Sequence, residues 1–100
     1  MSRNVRSNGE PMRVRLVITG LVQGVGYRYF AYQAADRCGV TGWVRNRRDG
    51  AVEAQAQGSQ AQVDAFVAQL RIGPRWGHVD AVDASEVPVI DGEASFTVRR

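Results

Sequence analysis

The segment at positions 20–28 reads Gly-Leu-Val-Gln-Gly-Val-Gly-Tyr-Arg and joins an alternating apolar stretch to a helical pattern. At a helix N-terminus the first backbone N–H groups lack intrahelical acceptors, and together they present about half a positive charge. Gly20, Gly24 and Gly26 permit positive φ angles, so that successive N–H groups can converge on one oxygen-rich ligand. Arg28 adds a planar, permanently charged fork that matches two phosphate oxygens. The segment therefore predicts an anion site.

Two well-known phosphate loops do not fit this segment. A dinucleotide-binding fingerprint starting at Gly24 would need a third glycine at position 29, where the chain has Tyr29. A Walker loop needs a lysine, but the chain has none, because all 13 of its Lys and Arg residues are arginine. The same absence excludes catalysis through a Schiff base on lysine. A tight connection without a ligand is the alternative interpretation of a glycine-rich turn, and Arg28 at its mouth favours anion binding.

Residues for covalent or metal-assisted catalysis are missing from the sequence. It has no histidine pair, no carboxylate cluster and no serine-histidine combination, and His78 fits a surface or capping residue. Without a nucleophile partnered by a base, or a set of metal ligands, electrostatics and positioning remain. These suffice for phosphoryl transfer when the leaving group is good, as in an acyl phosphate, which loses a carboxylate.

A second polar residue, Asn46, ends the run Gly-Trp-Val-Arg-Asn just before a predicted hairpin turn. A neutral amide accepts from and donates to a water molecule without adding negative charge beside a phosphate. The same position also fits an ordinary hairpin residue, so spacing alone leaves both roles of Asn46 open.

The first half of the chain has the periodicity of a strand, a helix and a hairpin. Residues 12–19 alternate as a strand with one buried face, and the glycine turn leads into a helix that Gly39 ends. Arg28 lies in the first turn of that helix. Residues 40–46 and 52–57 are rich in β-formers, and Asp49-Gly50 between them predicts a hairpin.

The second half continues with a helix and extended segments. Ser59-Gln60-Ala61-Gln62 fits a capping box, and the helix it starts runs to about Arg71, before Gly73-Pro74. Residues 78–87 are extended with an irregularity or bulge, and residues 95–99 form a short terminal strand. The residues predicted to be buried by these patterns are Val14, Leu16, Ile18, Tyr27, Phe30, Ala31, Ala34, Ala35, Cys38, Val63, Phe66, Val67, Leu70, Phe96 and Val98, and Val52, Ala54 and Ala56 form one alternating face.

This order of elements predicts an α+β fold. It is the ferredoxin-like β-α-β-β-α-β sandwich, in which an antiparallel sheet carries two helices on one face. Because this fold hosts enzymes, RNA-binding modules and regulatory domains, it does not by itself indicate a function.

Length and composition bound the class of protein. One hundred residues make one domain, for which we expect a flexible N-terminal lead-in at 1–11 and a folded domain at 12–100. The net charge of +3 favours anionic partners, although the arginines are spread along the chain. Cys38 is the only cysteine, which excludes an internal disulfide and suits a reducing cytosol. No run approaches 18 apolar residues and residues 2–11 lack a signal-peptide block, so we expect a cytoplasmic protein without a membrane segment.

Two motifs resemble the acylphosphatase family. Gln23-Gly24-Val25-Gly26-Tyr27-Arg28 is similar to the family signature Gln-Gly-Val, any residue, Phe or Tyr, Arg. Gly42-Trp43-Val44-Arg45-Asn46, followed by Asp49-Gly50-x-Val-Glu, resembles its second signature at the usual separation, and the likeness covers about residues 12–100. The chain departs from the family in its longer N-terminal segment and in Trp76, which occupies a loop where smaller residues are expected.

The resemblance implies a small cytosolic enzyme that hydrolyses the carboxyl-phosphate anhydride to a carboxylate and inorganic phosphate, without a metal or cofactor. By the same resemblance Arg28 is a catalytic residue that binds the phosphate, and Asn46 orients the water. The backbone N–H groups that would hold the phosphate are those of Gln23, Gly24, Val25, Gly26, Tyr27 and Arg28. The expected partner is a small acyl phosphate, with no nucleic acid or membrane, and the absence of a coiled-coil pattern favours a monomer.

Two other functions compete with this interpretation. The run from Gly24 to Phe30 superficially resembles a glycine-aromatic RNA-binding signature, but that signature belongs on a central strand, and here its aromatics fall on a helix. The second rival is a domain of the same fold that binds acyl phosphates without turnover, or a unit of a larger carbamoyl-phosphate-handling protein. The presence of both Arg28 and Asn46 speaks against lost turnover, and the initial methionine and the final strand favour a standalone chain.

Overall fold

A computed structural model describes residues 10–100. The expected lead-in at 1–11 therefore falls mostly outside the described residues, and the first strand begins at Met12 as predicted. The elements in chain order are β1 (Met12–Leu21), α1 (Tyr27–Cys38), β2 (Thr41–Asn46), β3 (Val52–Gly58), α2 (Gln60–Ile72), β4 (His78–Val87) and β5 (Phe96–Val98).

Both helices begin and end where local sequence signals predict. Gly39 has a φ of 75° and its N–H donates to the carbonyl of Ala35, which closes the last turn of α1. At the start of α2 the Ser59 hydroxyl accepts from the N–H of Gln62 and the Gln62 amide accepts from the N–H of Ser59, which is the predicted capping box. Neither helix in the described part of the chain is long and apolar enough to cross a membrane.

The sheet has the strand order β4-β1-β3-β2-β5, and α1 and α2 contact each other on one of its faces. The pairs β1–β3, β1–β4 and β2–β3 are antiparallel, as predicted for this α+β sandwich. The prediction of an antiparallel sheet is wrong at β5, which pairs in parallel with β2, so the sheet is mixed.

The path of the chain after β4 explains the parallel pair. β4 ends at Val87, opposite Arg13 near the start of β1, and the following segment crosses the face of the sheet that lacks helices. On that face Glu93 binds Arg13, and the backbone of Ile90 bonds with the Gln57 side chain. The chain thus reaches the opposite edge at the end of the sheet where β2 begins, and β5 must run in the same direction as β2.

The core between the sheet and the helices contains most of the residues that the periodicity predicts. Leu16, Ile18 and Phe66 are inaccessible to solvent, whereas Phe30 and Cys38 are only partly buried against the core. The prediction that Val98 is buried is wrong, because 47% of its surface is exposed. Val98 lies on an edge strand and shares a cleft with residues of the first turn of α1. The expected irregularity of β4 is a register shift opposite Thr19 and Gly20.

Candidate active site

The glycine turn between β1 and α1 leaves backbone donors open. Gly24 and Gly26 have φ angles of 74° and 80°, and a Cβ on either would meet no atom within 4 Å. These glycines are therefore required by backbone conformation and not by close packing. The first intrahelical bond of α1 runs from the N–H of Phe30 to the carbonyl of Gly26, so the preceding N–H groups have no helical acceptor.

Gln23 fastens this turn to the hairpin that follows β2. Its Nε2 donates to the carbonyl of Arg47 at 2.7 Å and to the carbonyl of Ala51 at 2.9 Å. The hairpin is itself closed by a bond from the N–H of Arg47 to the carbonyl of Ala51, and Asp49 accepts from the N–H of Ala51. That last bond holds the pKa of Asp49 below its ordinary value. The two predicted site segments are thus held together by a single amide side chain.

Arg28 is the second residue of α1 and is half-buried. Its Nη1 donates to the carbonyl oxygen of Arg99 at 3.0 Å. The N–H of Arg99 donates to the carbonyl of Val44, and its guanidinium carbon lies 4.5 Å from the centre of the Trp43 ring. The end of the chain therefore anchors one nitrogen of Arg28 and leaves the remaining guanidinium donors for another partner.

Asn46 is the last residue of β2, where it pairs with Val52 of β3. It lines a cleft of about 590 Å³ together with Arg28, Gly24 and Gly26. The structure therefore brings the two side chains that were predicted from separate motifs to the walls of one concave site. The role of each residue in catalysis stays a prediction.

Further residues line the cleft besides Arg28, Asn46 and the two glycines. Tyr27 of the predicted loop also lines it, whereas Gln23 and Val25 are not among its lining residues. Gln23 braces the turn, and Val25 packs partly against the core. The lining residues that sequence reasoning did not assign to the site are Val22, Tyr29, Val98 and Arg100. Of these four residues, only Val98 stood out in the sequence, through the alternation of its strand, and that alternation predicted a buried residue and not a site residue.

The charge of the cleft is positive. Arg28 and Arg100 line it, and no Asp or Glu side chain does so among residues 10–100. Tyr27 is not a proton donor for a ligand, because its hydroxyl donates to the carbonyl of Leu70 at 2.7 Å and burial raises its pKa well above the ordinary value. Within the described chain no three His, Cys, Asp or Glu residues are grouped as metal ligands. The site can bind an anion and hold a polar molecule beside it.

The RNA-binding interpretation predicts its aromatics on a central strand, and the structure has them elsewhere. Tyr27, Tyr29 and Phe30 all belong to α1, and Tyr27 is buried in the core. His78 is exposed at the start of β4, with its Nε2 3.2 Å from Oδ1 of Asp80, as expected of a surface residue. Trp76 is also on the surface, 74% exposed, with Arg75 over its ring.

Comparisons with known proteins agree with this architecture. The family model described as acylphosphatase matches residues 14–98. An acylphosphatase of Bifidobacterium longum (strain NCC 2705) is 53% identical over 97 residues, which cover 96% of this chain and 100% of that protein. The crystal structure of acylphosphatase from Bacillus subtilis has a TM-score of 0.85 and 34% identity, covering 89% of this chain and 99% of the other. An acylphosphatase structure from Coxiella burnetii gives 0.84 and 31%, with coverages of 89% and 93%.

The fold and the site define a two-layer α+β domain whose cationic cleft lies at a strand-to-helix turn beside a hairpin. The chain belongs to the acylphosphatase family, since the family match and full-length relatives span nearly all of the described residues. It is an enzyme of that class.

Proposed function

We propose that the protein hydrolyses the carboxyl-phosphate anhydride of small acyl phosphates by direct attack of one oriented water molecule, without a metal or cofactor. The observation that carries this proposal is the meeting of Arg28, the glycine turn and Asn46 in one cleft. Family membership supplies the substrate class, because the relatives are acylphosphatases.

The phosphate is held by the guanidinium of Arg28 and by the backbone N–H groups from Gln23 to Arg28. Support comes from the positive φ angles of Gly24 and Gly26 and from the uncapped first turn of α1. These donors are fixed before the substrate arrives, so they stabilise the charge that spreads over the phosphoryl oxygens at little reorganisation cost.

The carboxamide of Asn46 accepts a hydrogen bond from the attacking water and aligns it with phosphorus. The water oxygen forms a bond to phosphorus while the bond from phosphorus to the acyl oxygen breaks, and the carboxylate leaves with that electron pair. A proton of the water passes to the new phosphate and then to solvent. A good leaving group makes a general acid unnecessary, which fits a cleft with no Asp or Glu among its described lining residues.

The oligomeric state, the compartment and the partners of the enzyme belong to its setting. We infer a monomer that acts in the cytoplasm on a small molecule, with no nucleic acid or membrane partner, in a domain that starts at about residue 12 behind a lead-in. A single cysteine, which cannot form an internal disulfide, supports this setting.

The test is phosphate release from benzoyl phosphate in the presence of EDTA. We expect the wild-type chain to turn over and Arg28→Ala to lose most of the rate. Arg37→Ala is the matched control, since Arg37 is an exposed arginine of the same helix that lies outside the cleft. Binding of the substrate without release would identify a domain that lacks turnover, and activity only with added metal would refute the mechanism.

A further inference from the structure

The cleft is larger than its phosphate-binding part. A volume of about 590 Å³ falls in the roughly 300–1,000 Å³ range of pockets that enclose whole small molecules. Arg28, Asn46 and the two glycines account for one part of its wall, and Tyr29, Val98 and Val22 are carbon-rich residues in the rest. A second part of the site is therefore available to the other end of the substrate.

Two of these residues expose apolar surface that no neighbour covers. Tyr29 is 65% exposed and Val98 is 47% exposed, whereas Val22 is buried at 1%. Within residues 10–100 the Tyr29 side chain has neither a hydrogen bond nor a ring contact. Exposed aromatic and branched side chains at the mouth of a pocket are suited to contact a ligand.

Tyr29 and Val98 are chain neighbours of the two residues that the hydrogen bond of Arg28 joins. Tyr29 follows Arg28 in the first turn of α1, and Val98 precedes Arg99, whose carbonyl accepts from Arg28 at 3.0 Å. Both residues line the same cleft as Arg28, so a group attached to a phosphate bound there can contact them.

We propose that Tyr29 and Val98 form an acyl subsite, which selects acyl phosphates with an aromatic or extended apolar acyl group over those with a short one. The inference rests on the proposed function. The face of the Tyr29 ring packs against the acyl group, and Val98 closes the other side, so part of the acyl surface leaves water in the bound complex. Contacts of this kind set relative specificity and leave the chemical step to Arg28 and Asn46.

The test measures kcat/KM for benzoyl phosphate and acetyl phosphate with wild type, Tyr29→Ala, Tyr29→Phe and Tyr32→Ala. Tyr32 is the matched control, because it is an exposed tyrosine, 44% accessible, one turn further along α1 and outside the cleft. We expect Tyr29→Ala to lower the benzoyl-to-acetyl ratio about tenfold, near the low end of the discrimination that apolar contacts provide. Tyr29→Phe retains the ratio because the ring makes the contact, and Tyr32→Ala also retains it.

Other results would overturn either the acyl subsite alone or the proposed hydrolase as well. An unchanged ratio in Tyr29→Ala, or an equal fall in Tyr32→Ala, overturns the acyl subsite while the hydrolase stands. A fall in Tyr29→Phe as large as in Tyr29→Ala overturns it too, because the hydroxyl and not the ring would then be responsible. Failure of the wild type to hydrolyse either compound refutes the proposed function itself, and the subsite with it.

Discussion

Two arginines, Arg13 and Arg28, occupy contrasting regions of the molecule. Arg13 lies on the face of the sheet opposite the helices and is fully buried. Its guanidinium donates to Gln55 at 2.6 Å, to Gln57 at 3.1 Å and to both carboxylate oxygens of Glu93. Arg28 is half-exposed in the cleft, and its side chain donates to one backbone carbonyl and contacts no carboxylate within the described chain.

The difference separates a structural guanidinium from one that is available to a ligand. A buried arginine is tolerated only when it is paired and its donors are satisfied, so the partners of Arg13 neutralise it and fix the crossing segment. Arg28 has a fixed position and an uncompensated charge. An arrangement of that kind contributes little to folding and is suited to bind an incoming anion. Substitutions in each region, and acidification of the paired face, test this division.

Arg13→Met should lower the free energy of unfolding by about 3–5 kcal/mol, because it leaves Glu93 without its partner. Urea denaturation followed by circular dichroism measures the loss. The double variant Arg13→Met/Glu93→Leu should recover much of it, since apolar replacement of a buried pair is often nearly neutral. A stable single variant would show that Arg13 does not hold the crossing segment in place.

Arg28→Lys should reduce kcat/KM for benzoyl phosphate by about 10²–10³-fold, the usual cost of losing a donor to a developing oxyanion. A point-charge ammonium keeps the charge but cannot form the two parallel bonds of the fork. The thermal unfolding temperature should barely change, because only one exposed hydrogen bond is lost. Near-normal turnover, or a stability loss as large as that of Arg13→Met, would remove the contrast between the two residues.

Asn46→Asp should weaken inhibition by inorganic phosphate more than Asn46→Ala does. Two unit charges about 4 Å apart repel by about 4 kcal/mol at an effective dielectric of 20, which is an upper guide for a wet site. Comparing the inhibition constants of the two variants isolates the charge from the loss of the amide. Equal constants would mean that residue 46 is too far from the phosphate to affect it.

Acidification should destabilise the arginine-paired face of the sheet. Burial alone would raise the pKa of Glu93, but hydrogen bonds from Arg13 and Thr41 outweigh it and hold this pKa below the ordinary 4.5. Burial alone would also raise the pKa of Glu53, but hydrogen bonds from Arg45 and Arg15 outweigh it, so that this pKa is lowered as well. The unfolded chain then binds more protons below pH 4.5, so this stabilisation is complete above that value and is lost as the pH falls further.

The free energy of unfolding, measured in urea between pH 7 and pH 3.5, checks this dependence. Glu93→Gln should flatten the acid limb, because the variant no longer has the carboxyl that titrates. An acid limb identical to that of the wild type would show that Glu93 does not contribute to the pH dependence. The cleft that contains Arg28 and Asn46 contributes no such limb through Asp or Glu side chains, since none lines it within residues 10–100.

Features with local causes could be predicted from the sequence. The start of α1 after Gly26 and its end at Gly39 follow from positive φ angles that glycine adopts at little cost. The start of α2 follows from a reciprocal cap between Ser59 and Gln62, which are only three positions apart in the chain. Alternation in β1 and β3 predicts which side chains face the helices, because successive residues of a strand point to opposite faces.

Features that depend on distant segments could not be predicted in this way. Alternation indicates that Val98 shares a face with Phe96, but not that the helix layer covers Phe96 and leaves Val98 at a cleft. Alternation places Arg13 on the face of β1 opposite the predicted core, and it does not indicate that a distant crossing segment carrying Glu93 pairs with it there. The parallel direction of β5 likewise results from that crossing.

The elements, the glycine turn and the two motifs that carry Arg28 and Asn46 follow from the sequence alone, because each depends on residues close together along the chain. That these motifs share one cleft follows only from the assembled fold. Gln23 joins the turn to the hairpin, and the carbonyl of Arg99 fixes the guanidinium of Arg28, through contacts that span 24, 28 and 71 residues of chain. Such contacts form when the sheet assembles, and no spacing pattern encodes them.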